Sequence, residues 1–362
     1  VSRWEKDTAF KEINSSLAWS LARAPAASQC AWCDHRFDDA DDRRTGRVWC
    51  ARCGVATTSP WPSEAQLNDA YGSWYRPATG RFDSLGDAVL RRTRAALASR
   101  LDQVLPQGPV LDVGAGDGTL VEAFVHHGRE AVGLEPHASG PHLRNTEIAE
   151  MSGAWAAVIF WHSLEHLRQP AAALSHAARL LIPGGRLVVA VPNAKSLQAR
   201  AFGDGWFALD LPRHLVHLSP APLLSKIEAL GLTIERVSYL RGGQVVFGWI
   251  HGLVSQFPGQ PDLYEVIRRG EARRSAQSPG RRLYALAAAG VALPLALAAT
   301  AAEVAARSGG TIYVQARRET APEQVPTAQA EDTGTRAVFL QDRPAGKALR
   351  SQPAQPGLPS AR

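Results

Sequence analysis

The sequence predicts an α/β protein in which a mostly parallel sheet with crossover helices follows a small metal-binding module. Three observations carry this reading. From Val110 onward short apolar runs alternate with segments of helical period; glycines 114, 116 and 118 sit between one such run and the next helix; and four cysteines form two Cys-x2-Cys pairs before residue 54. At 362 residues and 45% hydrophobic content, the chain holds one large domain with a sizeable core and something small at an end. The net charge of +6 owes much to arginines between Arg268 and Arg282. It permits nucleic acid or an anionic membrane as a partner and requires neither.

Residues 1–29 are weakly periodic and lack a basic-then-apolar leader, so a cytoplasmic chain is expected. Confining every cysteine to positions 30–53 argues against a disulfide framework and for a reduced compartment with a local metal site. Cys30, Cys33, Cys50 and Cys53 have the spacing of two knuckles around a tetrahedral ion, and Gly54 eases the second turn. Residues 30–60 therefore read as a zinc ribbon. Four thiolates leave Zn2+ no open position, so the ion is expected to be structural.

The larger domain is expected over residues 61–318. After a tract containing Trp61, Tyr71, Trp74 and Tyr75, a helix carries Leu85, Val89, Leu97, Leu101 and Leu105, and Pro106-Gln107-Gly108-Pro109 ends it. Strands are expected at 110–113, 131–134, 157–160, 186–191, 232–240 and 311–316, with helices at 120–127, 171–181 and 222–230. About seventy residues separate the last two strands, which predicts a helical insertion over roughly 243–310. Within it residues 284–302 carry no charge, long enough to raise a membrane span. Two strands that return to one sheet argue against a span, and so do the many alanines and Pro294. A buried helical hairpin or lid is expected, with peripheral membrane contact through 268–305 as the alternative. Residues 319–362, rich in Pro, Ala, Gln and Thr, are expected to be disordered.

The glycine loop narrows the ligand. Glycines let the backbone turn sharply and approach a ligand closely, but position 119 is Thr where a dinucleotide fingerprint needs Gly. Asp112 stands two residues before Gly114, where it would repel a pyrophosphate and attract an ammonium such as that of S-adenosylmethionine. Glu135, at the end of the next strand and followed by Pro136, is placed to hold a ribose diol. A structural turn with a capping Asp and a solvated strand-end Glu are the alternatives.

Several motifs in order then resemble a known family. They are Leu111-Asp-Val-Gly-Ala-Gly-Asp-Gly118, Gly133-Leu-Glu-Pro136, Phe160-Trp-His-Ser-Leu-Glu-His166, Leu181-Ile-Pro-Gly-Gly185, Val191-Pro-Asn193 and the segment from Phe202 to His214. From about Tyr71 to Arg318 the chain resembles class I methyltransferases of the bacterial group related to the ubiquinone-biosynthesis O-methyltransferases. The resemblance implies a Rossmann-like seven-stranded sheet whose last strand is antiparallel, with S-adenosyl-L-methionine as methyl donor. The cofactor set is then Asp112, Gly114, Ala115, Gly116, Gly118, Glu135, Pro136, Trp161 and His162. The chain departs from the pattern after Glu135, where the helix and strand before 157–160 are shortened. No acid clearly matches the adenine contact, although Glu147 and Glu150 stand nearby.

The activated methyl leaves the enzyme chiefly the task of alignment, with a base where the acceptor must lose a proton. His162 and His166, four apart, are expected to share a helical face, with Glu165 adjoining. His166 is the first candidate for general base, or for a divalent-metal ligand with Glu165; a packing or capping pair is the alternative. Trp206, Asp210, Arg213 and His214 suit a substrate-pocket wall or a structural loop over the sheet edge. The acceptor is expected to be a small molecule, a sugar or a lipid-linked intermediate. RNA held by the ribbon is disfavoured, because aspartates offset its arginines, and a non-catalytic cofactor-binding homologue is the third reading. The oligomeric state is not legible.

Overall fold

Val110-Leu-Asp-Val113 forms a central strand, β4 (Val110–Val113), buried at every position because helices cover both faces. It pairs in parallel with β5 (Ala131–Leu134) and β7 (Trp155–Trp161), and β8 (Leu181–Pro192) lies parallel to β7. β11 (Thr311–Arg318) runs antiparallel between β8 and β10 (Leu232–Ser238). The computed structural model describes residues 25–72, 82, 84–136, 140–240, 244–268 and 278–319, and these lie within one compact unit. The first 24 residues, the tail beyond Glu319, Trp74 and Tyr75 fall outside this set. The sheet order β10-β11-β8-β7-β4-β5-β6 has the seven strands and antiparallel last strand expected from the resemblance. The shortened segment after Glu135 still supplies its edge strand, β6 (Leu143–Arg144), reduced to two residues.

Side chains alternate between the two faces with the strand period of two. On one face Val110, Ala157, Ile159 and Val188 meet Leu97 and Leu101 of α2 (Ser84–Asp102) and Leu120 and Phe124 of α3 (Thr119–His126). On the other, Leu111, Val158, Leu187 and Val189 meet Leu174 of α4 (Pro170–Leu180) and Leu223 and Ile227 of α6 (Pro220–Ala229). Each fully buried side chain of this size contributes about 2 kcal/mol, so the sheet forms a rigid platform for the loops at its carboxyl edge.

The cysteine module is joined to this platform. β1 (Asp42–Arg44), β2 (Arg47–Trp49) and β3 (Ala56–Thr58) form an antiparallel meander, and β3 then pairs with β9 (Val216–His217). The sheet thus crosses the expected boundary at residue 60, because pairing β3 to β9 removes an open edge. Cys30, Cys50 and Val55 share a core cluster with Leu111 and Leu223. Between them α1 (Glu64–Ala70) is opened by a capping box of Ser63 and Gln66.

The insertion folds as α7 (Gln244–Val254), α8 (Leu263–Ile267) and α9 (Pro279–Ala305). The expectation of a buried hairpin needs correction. α9 packs on α7 through its small residues Ala285, Ala288, Ala292 and Ala296, which allow close approach, and its bulky leucines are turned outward. Arg268, which the membrane alternative would set toward headgroups, is instead buried, and its Nη1 lies 3.5 Å from Glu265 Oε1. Arginines 269, 273 and 274 lie outside the described residues.

Glu303 fastens the insertion to the sheet domain. Its fully buried carboxylate accepts from Gln198 N (3.0 Å) and Gln198 Nε2 (2.9 Å) of α5 (Leu197–Phe202), and from Trp249 Nε1 (2.7 Å) of α7. Glu303→Leu would leave Gln198 N and Trp249 Nε1 without an acceptor and Gln198 Nε2 with only Val245 O at 3.4 Å, a cost of about 3 kcal/mol. The expected outcome is a melting temperature lower by about 5 °C, with new protease cleavage within residues 240–310. An unchanged melting curve would show that Glu303 does not fasten the insertion.

Candidate active site

The strand β4 ends in a left-handed glycine loop. Gly114, Gly116 and Gly118 have φ of 76°, 65° and 75°, values that L side chains rarely adopt. At Gly114 space is as restrictive as conformation, since a Cβ there would collide with Ser163 Cβ. The N–H groups of Gly114 and Ala115 donate to Leu134 O at 2.8 and 2.9 Å, which ties the loop to β5. Glu135 comes to the loop as the sequence suggests, and its Oε2 accepts from Gly116 N at 2.8 Å. Pro136, next in the chain, is exposed.

Asp112 is 3% exposed, and its Oδ1 has no hydrogen-bond partner among the described residues. Burial pushes its carboxyl up to about 7, and the nearby guanidinium of Arg94 opposes that rise. Arg94 lies 4.9 Å from the ring centroid of Trp161, which ends β7 and meets Tyr313 edge-on. The sequence does not single out Arg94. It stands beside Arg91 and Arg92 on a helix, and only packing shows that those two are exposed while it is not.

The His162–His166 segment does not form the shared helical face expected of it. His162 has φ 52°, and a single 3-10 turn, Leu164–His166, follows. The turn points the polar groups inward all the same. Glu165 is 2% exposed, neither of its oxygens has a hydrogen-bond partner among the described residues, and Oε1 lies 3.6 Å from His162 Nδ1 and 3.9 Å from His214 Nε2. Burial would raise its carboxyl, but the imidazoles of His162, His166 and His214 hold it below the usual value. His166 Nδ1 is 2.8 Å from the Tyr71 hydroxyl and 3.0 Å from Arg213 O. Burial and His214 bring His166 down to about 4, which leaves it neutral near pH 7.

Asp210, Arg213 and His214 join this cluster. Asp210, at φ 39°, pairs with the Arg213 guanidinium, whose Nε is 3.1 Å from Oδ2. Burial would raise the Asp210 carboxyl, but Arg213 and His214 hold it well below the carboxylate range. His214 stacks edge-on against His166 with centroids 4.6 Å apart. Trp206 is placed elsewhere: it is buried, and its Nε1 donates to Gln198 Oε1 at 3.2 Å. Glu147 and Glu150 cap each other across a short turn. Thr58 of the cysteine module has a role the sequence does not show. Its Oγ1 donates to His214 O at 2.6 Å and lies 3.0 Å from His217 Nε2.

In the module, Cys30 and Cys53 sulfurs are 3.6 Å apart and those of Cys33 and Cys50 are 3.7 Å apart, without disulfides. All four lie within 4.8 Å of one another. A tetrahedral zinc with sulfurs at about 2.3 Å sets them about 3.8 Å apart, so the residues fit the ion. The hydrogen bond between Cys30 and Cys53 pulls the Cys30 thiol down and pushes the Cys53 thiol up.

Residues 88–237 match the family profile described as a methyltransferase domain, which begins after the cysteines and ends before α7. The ubiquinone biosynthesis O-methyltransferase of Xanthomonas oryzae pv. oryzae is 31% identical over 166 residues, covering 39% of this chain and 69% of that relative. The protein of the same name from Xylella fastidiosa strain 9a5c is 30% identical over 171 residues, covering 39% and 70%. Among solved structures, a SAM-dependent methyltransferase from Archaeoglobus fulgidus is 16% identical, with a TM-score of 0.40 over 63% of this chain and 94% of its own.

The raised carboxyl of Asp112 has a thermodynamic consequence. Its folded value lies above its unfolded one, so its contribution to stability is complete below pH about 4 and is lost as pH rises through about 7. Asp112→Asn removes that penalty, on the order of 4 kcal/mol for a shift of this size. The ligand-free variant should melt above wild type, with a gap that grows from pH 4 to 7 and is constant beyond. Coincident melting temperatures at pH 8 would contradict this.

Proposed function

Because the chain belongs to the class I S-adenosylmethionine-dependent methyltransferases, we propose that its 114–118 loop holds the methyl donor and that the cluster around Glu165 receives the acceptor. The observation that carries the donor site is Asp112, a buried carboxylate with an oxygen left open beside left-handed glycines. Asp112 would meet the donor's ammonium, Arg94 its carboxylate and Glu135 its ribose diol, with Ala115, Pro136, Trp161 and His162 along the walls. Bound S-adenosylmethionine supplies a methyl group already activated on a sulfonium.

His166 would then act as the general base. Held neutral near pH 7, it is free to take the proton that an acceptor hydroxyl or amine releases, and Glu165 would stabilise the imidazolium so formed. Asp210 and Arg213 would keep the acceptor loop in place, with Trp206 supporting it from behind. The same geometry favours a second role for Glu165, His166 and His214, whose ligand atoms lie within 4.8 Å of one another and which would hold a divalent ion. Such an ion would lower the pKa of an acceptor hydroxyl. The acceptor is read as a small molecule, a sugar or a lipid-linked compound, met in the cytoplasm. Against RNA, Arg44 of the ribbon pairs with Asp42 at 2.7 Å and Arg47 with Asp204 at 3.1 Å, which leaves fewer cations for phosphates.

For the ribbon we infer one structural zinc on Cys30, Cys33, Cys50 and Cys53, supported by the sulfur spacing. It would hold β3, and through Thr58 the position of His214.

Titration calorimetry should show S-adenosylmethionine binding that Asp112→Ala weakens at least tenfold, about 1.4 kcal/mol; undiminished binding would overturn the donor site. Elemental analysis should find one zinc per chain for the ribbon. Its removal by chelator should lower the melting temperature and raise the acceptor KM while donor affinity holds. A metal-free chain that melts as before would refute the ribbon assignment.

A further inference from the structure

α9 is amphipathic in the sense opposite to that of a core helix. The side against α7 carries Ala285, Ala288, Ala292 and Ala296, while Leu283, Leu286, Val291, Leu295 and Leu297 face solvent at 49 to 72% exposure. Only 28% of its most apolar window is buried. Soluble monomers rarely expose a contiguous apolar patch on this scale without a partner for it.

The chemistry of the face says what that partner is. From Leu283 to Ala302 there is no charged side chain. The polar side chains in that stretch are already engaged: the Tyr284 hydroxyl donates to Pro258 O at 3.2 Å, and buried Thr300 Oγ1 donates to Ala296 O at 2.7 Å. A protein interface carries about one hydrogen bond per 100–200 Å2, and this face offers a protein partner almost nothing to bond. At 1.5 Å per residue the strip runs about 30 Å. It nevertheless cannot cross a bilayer, because β10 before the insertion and β11 after it are neighbours in one sheet. The helix must lie along the surface.

Charge fits the same partner. Arg281 and Arg282 stand at the helix start and Arg307 just beyond its end, and none forms an ion pair among the described residues. The one acid of the helix, Glu303, is turned into the protein. We propose that α9 docks this enzyme on an anionic lipid bilayer, with its leucine side in the outer acyl region and its arginines at the headgroups. Phe207, beside the acceptor loop, packs on Phe247 of α7 at 5.1 Å between centroids, so the docking layer adjoins that loop. Docking favours the lipid-linked class of acceptor, a corollary that rests on the methyltransferase reading, whereas docking itself does not.

The test is cosedimentation of the full chain with vesicles of phosphatidylglycerol and phosphatidylcholine. Wild type should pellet with them, and Val291→Glu/Leu295→Glu should lose at least tenfold in vesicle affinity with unchanged circular dichroism and S-adenosylmethionine binding. Arg281→Ala/Arg282→Ala should weaken the same binding. No pelleting of wild type, or equal pelleting of the Glu variant, would overturn the proposal. So would a wild-type dimer, seen by ultracentrifugation without vesicles, that the Glu variant dissolves. Donor calorimetry on the same samples reads the methyltransferase assignment separately.

Discussion

Two loops at the carboxyl edge of the sheet meet with no room for a methyl group between them. A Cβ on Gly114 would strike Ser163, and the Ser163 hydroxyl donates back to Val113 O. This contact sets the end of β4 against the end of β7, and so brings the glycine loop beside the His162–His166 turn. The loop after Asp112 and the turn that carries Glu165 are therefore neighbours although 53 positions separate these two residues in the chain. The glycine at 114 meets two demands at once, a positive φ and the absence of a side chain.

Around this junction the other parts act as supports. The ribbon donates β3 to a strand of the catalytic domain, and Thr58 reaches the carbonyl of His214. The insertion is tied down through Glu303 and through the aromatic contact of Phe207 with Phe247. Both supports reach the Phe207–His214 segment from outside the stretch that matches the methyltransferase profile. The segment that matches the methyltransferase profile is thus braced by parts of the chain that lie outside it on both sides.

Burial runs against charge throughout the site. Asp112 lies in the sheet with an oxygen that has no hydrogen-bond partner among the described residues, and Glu165 is enclosed by the imidazoles of His162, His166 and His214, of which burial holds His166 neutral near pH 7. Carboxyl groups buried in this way cost stability, and such groups concentrate at functional sites.

Most of the fold was legible from the residues. Strand and helix positions follow from local periodicity, the glycine loop from residues without side chains, and the cysteine cluster from the spacing of its two pairs, because each depends on neighbours in sequence. Legibility failed where the deciding partner is distant. Arg94 looks like its neighbours until it stacks on Trp161, Trp206 looks like a pocket wall until Gln198 takes its N–H, and Thr58 shows nothing until β3 meets β9. The uncharged stretch near residue 290 was legible as apolar, but not its direction. Which side of α9 faces water depended on α7, whose contact admits alanine and excludes leucine. The sequence by itself determined the elements, the glycine loop and the cysteine cluster; the tertiary structure alone decided which side chains converge, since convergence depends on packing between segments far apart in the chain.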